Sequence, residues 1–231
     1  MTQAGPARLD LGETEARVSN LRAGGAAVAL GSFGVTVTSA LYALSPPAAA
    51  LPAQPFDQAL ALAGAVAGAR TMFAAGTVGI FSDLVMAVGA LLVALELARR
   101  GRSLAVAGWI AILLSIVVFT LVDAIVGYVL GPVAALKDGA SAFTAFKRLF
   151  DVLFLLGTTA FGTGAMLALT NEMRSAVPIV SKPVALAGAL TGMAGVLAAG
   201  AVLRAFRWNR PSASVSASVQ QFLSRLARRS C

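Results

Sequence analysis

Apolar residues come in five blocks, separated by short segments that carry charges, prolines or both. A helix needs about 20 apolar residues to cross roughly 30 Å of hydrocarbon, because it rises about 1.5 Å per residue. The pattern therefore predicts an all-α fold, a polytopic transmembrane helix bundle of about five spans. The predicted spans are residues 26–44, 72–98, 104–130, 149–169 and 184–203.

Polar segments flank this bundle at both ends. We predict a polar N-terminal tail over residues 1–22, the transmembrane bundle over residues 23–203 and a basic C-terminal tail over residues 204–231. Within the C-terminal tail, apolar positions of residues 219–226 repeat at helical spacing and alternate with arginines. This pattern is typical of an amphipathic helix on an anionic leaflet, with partner binding or a frayed tail as alternatives.

The segments between the spans contain their own signals. Four prolines within residues 46–55 exclude continued helix and predict an external linker, although small residues there leave a cleaved signal peptide as an alternative for the first block. Residues 57–100 lack proline and would make a helix about twice as long as a bilayer is thick. We therefore predict a division at Arg70, with residues 57–69 forming a short helix at the membrane surface. Residues 133–147 are predicted to be a polar loop.

Composition agrees with a membrane protein. The chain is 58% hydrophobic and 12% charged, with a mean hydropathy of +0.84, whereas soluble domains are about 25% charged. It has no histidine, and its single cysteine is Cys231. The usual ligands of haem, zinc and iron–sulfur centres are therefore missing, and we expect no cofactor and no metal. We expect a multi-pass protein of the cell membrane, with the bacterial plasma membrane as the specific expectation.

The net charge of +8 comes from bases that flank the apolar blocks. Such bases lie at the membrane surface, so we expect contacts with the lipid bilayer and its anionic headgroups, and no nucleic acid partner. They divide almost evenly between the two sides, and the short turn at residues 99–102 favours an N-terminus inside. The predicted membrane-surface bases are Arg99, Arg100, Arg102, Arg225, Arg228 and Arg229.

Carboxylates inside the predicted spans are the main candidates for chemistry. An acid at bilayer depth costs roughly 2.5–3.5 kcal/mol, so it normally faces inward and has a partner. Asp83 lies 18 residues before Gly101 and Asp123 lies 22 residues after it, which places both at similar depth in a helical hairpin. The candidate polar set is Asp83, Asp123, Asp151 and Arg70. It predicts a protonatable or cation-binding site; alternatively, each acid bonds to a hydroxyl of a neighbouring span.

Small residues on the fifth span predict close helix packing. Gly188, Gly192 and Gly195 recur on one helical face, where they allow another helix to approach closely. We expect packing within the chain, with a homodimer through the fifth span as the alternative.

The second span also resembles a known family. The element SDLVMA, Ser82 to Ala87, followed by the basic turn at residues 99–102, resembles a bacterial family of small multi-pass integral membrane proteins known only as a domain of unknown function. The resemblance covers about residues 70–200. It implies a multi-pass helical fold and supplies no mechanism.

These observations leave three candidate functions. The sequence contains no GxxxxGK[ST], GxSxG or HExxH pattern, which removes the common nucleotide-binding, hydrolase and zinc-protease signatures. We expect an integral membrane protein that is structural or regulatory and is not an enzyme. The first alternative is a small proton- or cation-coupled transporter that uses Asp83 and Asp123. The second is a lipid-modifying membrane enzyme.

Overall fold

The computed structural model of the chain describes residues 11–44, 58–176, 178 and 180–208, which are helical apart from short turns and contain no strand. A π-helical segment, Ile125–Leu130, follows α4 without a break. The α-helices are α1 Leu11–Ala43, α2 Gln58–Ala67, α3 Ala69–Arg99, α4 Ser103–Ala124, α5 Gly131–Ala134, α6 Ala140–Arg174 and α7 Lys182–Trp208.

Five of the helical stretches are long and apolar enough to cross a membrane. The prediction of an all-α bundle of about five spans is therefore confirmed, and the chain is a multi-pass membrane protein. α1 begins inside the predicted N-terminal tail, and the second, third and fourth spanning stretches extend beyond their predicted bounds at both ends. The spanning stretches are Ser19–Tyr42, Ala69–Arg99, Ser103–Ala134, Ala140–Arg174 and Lys182–Ala201.

The predicted surface helix over residues 57–69 corresponds to α2, and its position in the membrane stays a prediction. The division from the next span falls at Gly68 rather than at Arg70. Only Gly68 separates the two helices. Its amide donates to the Gly64 carbonyl, and its carbonyl accepts from the Met72 amide. Helical hydrogen bonding therefore continues across the break.

The predicted polar loop over residues 133–147 is wrong. The structure has α5, a short turn and the first residues of α6 there. Phe143, Lys147 and Phe150 are buried at helical spacing, so they form one inward face of α6. Lys147 can be part of that face because its ammonium lies 2.5 Å from the Asp151 carboxylate one turn later. The Lys147 charge, which favoured a loop in the sequence, is thus neutralised by Asp151 inside a helix.

The sequence predicted that the third span ends at residue 130, just before Gly131 and Pro132. In the structure the span continues through both residues to Ala134. The helical path continues through the π-helical segment into α5. In an α-helix, the proline ring would meet the carbonyl four residues earlier. A π-helix closes its hydrogen bonds over five residues and is wider, so the segment before Pro132 relieves that clash.

α3 lies at the centre of the bundle, with α1 and α4 packed against it, and α4 also packs against α6. α1 and α3 are antiparallel, because Gly24 lies against Gly89 and Gly34 lies against Ser82. α3 and α4 form a hairpin whose turn needs the positive φ of Gly101, 69°.

The chain divides into two units, Met1–Ala199 and Gly200–Cys231. In the first unit, Gly192 of α7 lies against Gly162 of α6, and a Cβ on either residue would meet the backbone of the other. Gly188 faces Leu169 and Gly195 faces Thr158 on the same helix. The predicted glycine face of α7 thus packs within the chain, and the homodimer stays a prediction. In the second unit, the described residues are the end of α7.

Close packing of α4 on α6 leads to a stability prediction. A Cβ on Gly108 would lie 2.5 Å from the Ala168 amide nitrogen and 2.7 Å from the Gly164 carbonyl oxygen. We expect Gly108→Val to lower the free energy of unfolding by about 1–3 kcal/mol, because the two backbones must separate. Gly25→Val is the control, since a Cβ at Gly25 would meet nothing within 4 Å. Unfolding by SDS in mixed micelles measures both, and equal stability of the two variants would contradict the packing.

Candidate functional site

Asp83 of α3 and Asp123 of α4 lie together inside the bundle. Their exposed fractions are 2% and 7%, and the Asp123 carboxylate lies against Gly79, one helical turn before Asp83 on α3. The hairpin explains this arrangement. After the turn, α4 runs back along α3, so residues at similar distances from the turn lie side by side. The structure thus brings together the two acids that the sequence placed at similar depth.

Glycines on α3 make room for the Asp123 carboxylate. A Cβ on Gly79 would overlap that carboxylate, so only glycine leaves the space it occupies. One turn earlier, a Cβ on Gly76 would lie 2.6 Å from the Asp123 carbonyl oxygen and 2.7 Å from the Gly127 Cα. The helices therefore touch through their backbones beside the acid.

Each acid meets a hydroxyl from another helix. The Tyr42 hydroxyl of α1 donates to Asp123 Oδ1 at 2.7 Å. The Thr120 hydroxyl of α4 lies 3.3 Å from Asp83 Oδ2 and 3.0 Å from the Ile116 carbonyl oxygen. Two carboxylates and two hydroxyls thereby connect α1, α3 and α4.

Thr38 of α1 is a further polar residue in this region. It is 5% exposed, and its hydroxyl has no hydrogen-bond partner among the described residues. It precedes Tyr42 by one helical turn and therefore lies on the same face of α1. We refer to Thr38, Tyr42, Asp83, Thr120 and Asp123 as the acid cluster.

The acid cluster contains oxygen atoms and no positive charge. In the part of the chain that the structure describes, no lysine or arginine forms an ion pair with Asp83 or Asp123. Unpaired charge in a hydrocarbon environment is costly. The arrangement can therefore hold helices together through hydroxyl–carboxylate bonds, or accept a proton or a cation.

The other two members of the candidate polar set lie apart from this pair. Asp151 bonds to Lys147, and the Lys147 ammonium also lies 5.0 Å from the centre of the Phe150 ring. Arg70 is exposed in the first turn of α3. Asp151 and Lys147 thus form a local ion pair within α6.

The basic turn between α3 and α4 has acidic partners that sequence reasoning missed. Arg100 donates to the Glu96 carboxylate at 3.0 Å, and Arg99 lies 3.7 Å from it. Arg102 donates to Glu172 of α6 at 2.7 Å and to the Ser175 hydroxyl at 2.6 Å. The i,i+4 spacing of Glu96 and Arg100 is a local signal for their pair. The predicted surface bases Arg225, Arg228 and Arg229 lie outside the described residues.

Tyr42 was also missed. A tyrosine at the end of an apolar block is typical of an anchor at the membrane interface, so its own surroundings in the sequence give no hint of Asp123. The partner lies 81 residues away. Thr120, by contrast, is a hydroxyl of the neighbouring span, the kind of partner that the sequence suggested as the alternative for each acid.

No protein-family model, curated protein or solved structure matches the chain. The resemblance to the bacterial family of unknown function therefore stays a prediction, as do the three candidate functions.

The Tyr42 contact leads to a second stability prediction. We expect Tyr42→Phe to lower the free energy of unfolding by about 1–2 kcal/mol, because it leaves a buried carboxylate oxygen without its donor. Tyr128→Phe is the matched control. The Tyr128 hydroxyl lies 2.8 Å from that of Thr77, which keeps its bond to the Phe73 carbonyl when the tyrosine is changed.

Unfolding in mixed micelles compares the two tyrosine variants under one condition. A loss for Tyr42→Phe no greater than that for Tyr128→Phe would contradict the assigned role of the Tyr42 hydroxyl.

Proposed function

We propose that this protein is a structural or regulatory component of a bacterial plasma membrane, without enzymatic activity, in which the buried acids join transmembrane helices. The bond from the Tyr42 hydroxyl to Asp123 is the observation that carries the proposal. It connects α1 to the α3–α4 hairpin at the place where Asp123 also fits against Gly79. A carboxylate used in this way positions helices and transforms no substrate.

α1 is the helix that gains most from such a bond. Its spanning stretch has a hydropathy of 1.4, the lowest of the five, and 17% of it is buried inside the bundle. Lipid is as apolar as a helix surface, so helices in a membrane associate through close packing and polar contacts. Gly24 and Gly34 supply the close packing against α3, and Tyr42 supplies the polar contact.

The basic turn supports the proposed lipid contacts. Arg99 is 58% exposed in its side chain, whereas the carboxylate of its partner Glu96 is buried. Arginines near a membrane surface attract anionic headgroups. We propose that Arg99 faces headgroups while Arg102, bonded to Glu172, fixes the turn against α6.

A crosslinking experiment tests whether the acids hold α1 in place. The Ser32 hydroxyl lies 3.7 Å from the Met86 sulfur, so Ser32→Cys and Met86→Cys, made in a Cys231→Ser background, report on contact between α1 and α3. We expect Asp123→Asn to reduce the yield of the disulfide severalfold in native membranes, because the amide is a weaker acceptor for Tyr42 than the carboxylate.

Asp138→Asn is the control, since Asp138 is exposed in the turn before α6. Proton and cation flux into proteoliposomes is measured on the same variants. An unchanged disulfide yield together with flux that depends on Asp123 would contradict the structural proposal and favour the transporter alternative.

A further inference from the structure

The Thr38 hydroxyl differs from other hydroxyls in the spans. Serine and threonine in transmembrane helices commonly donate to the carbonyl four residues earlier, as Thr36 does to Ser32 and Thr77 does to Phe73. The Thr38 oxygen is buried and makes no such bond among the described residues. A buried hydroxyl without a partner costs free energy, so its presence calls for a ligand.

The neighbours of Thr38 show what it faces. Gly34 precedes it by one turn and lies against Ser82, and Tyr42 follows it by one turn and bonds to Asp123. Because α1 and α3 are antiparallel, the turn that contains Thr38 lies beyond Ser82 toward Gly79, where the Asp123 carboxylate sits. Thr38 therefore lies on the face of α1 that packs against α3, at the level of Gly79 and the Asp123 carboxylate.

The charge of the cluster indicates the kind of ligand. The Asp123 carboxylate lies against Gly79, one turn before Asp83, and neither acid has a base in ion-pair contact within the described part of the chain. Every polar side-chain atom that the cluster offers is oxygen, which is the ligand that hard cations take. No third His, Cys, Asp or Glu joins the two carboxylates among the described residues. Calcium sites commonly use several carboxylates and magnesium gives up its water reluctantly, so two buried carboxylates beside neutral hydroxyls fit a cation of single charge.

We propose that the acid cluster binds one dehydrated alkali-metal cation, with oxygen ligands from Thr38, Asp83 and Asp123. Tyr42 and Thr120 act on the carboxylates themselves and hold them in orientation, as second partners commonly do for metal ligands. The site goes beyond the structural role proposed above, because it makes the junction of α1, α3 and α4 responsive to the cations of the surrounding solution.

Thermal unfolding of the purified full chain in detergent tests the site. NaCl or KCl replaces choline chloride at constant pH and ionic strength. We expect the wild-type Tm to be higher by about 4 °C or more in at least one of the two alkali salts, because a ligand that binds only the folded state stabilises it.

Two variants in α1 separate a ligand from a structural hydroxyl. Thr38→Val keeps the shape of the side chain and removes the oxygen. We expect its Tm in choline chloride to equal or exceed that of the wild type, since an unpaired polar group is gone, while its response to the alkali cation is lost. Thr36→Val, next to it on an exposed face, should keep the full response. Asp123→Asn should lose the response as well.

Three results would overturn the cation site: equal wild-type Tm in all three salts, a cation response that survives in Thr38→Val, or stabilisation by acidification alone, which would assign a proton instead. The outcome is separable from that of the structural proposal. If Tyr42→Phe still lowers the Tm in choline chloride while no salt has an effect, the helix junction stands and only the cation site fails.

Discussion

Two carboxylates buried inside the helix bundle, with no ion-pair partner in the described part of the chain, are the constraint around which this bundle is arranged. An acid at this depth costs a few kcal/mol unless its surroundings compensate it. The compensation around Asp123 consists of a hydroxyl from α1 and the space left by Gly79. Around Asp83 it is the hydroxyl of Thr120. Three helices must therefore meet at one place, and their packing follows from that meeting.

A π-helical segment of the backbone lies next to the acid cluster. The π-helical segment begins two residues after Asp123 and places Gly127 against Gly76 of α3. π-helical turns cost hydrogen-bond quality and often mark functional positions. Here the segment accommodates Pro132 and also lets the backbone of α4 approach α3 beside the acid. One local distortion thus serves both helix continuity and the approach to the acid cluster.

The sequence predicted the class of fold and the depth of the acids because both depend on chain length. About twenty apolar residues make a span, and the similar distances of Asp83 and Asp123 from Gly101, 18 and 22 residues, place them at similar depth in the hairpin. It failed at Lys147, which it assigned to a polar loop, because the ion pair with Asp151 lets this lysine lie on the inward face of a helix. Tyr42 and Glu172 have partners that only the packing of distant segments brings close. Periodicity reports which face of a helix is apolar, and it does not report which helix that face meets.

Tyr42 and Asp123 should stabilise the bundle through each other. A double-mutant cycle of Tyr42→Phe and Asp123→Asn, followed by unfolding in mixed micelles, measures their coupling directly. We expect a coupling free energy of about 1 kcal/mol or more, so that the double variant is less destabilised than the sum of the single variants. Strictly additive losses, with a coupling near zero, would contradict it.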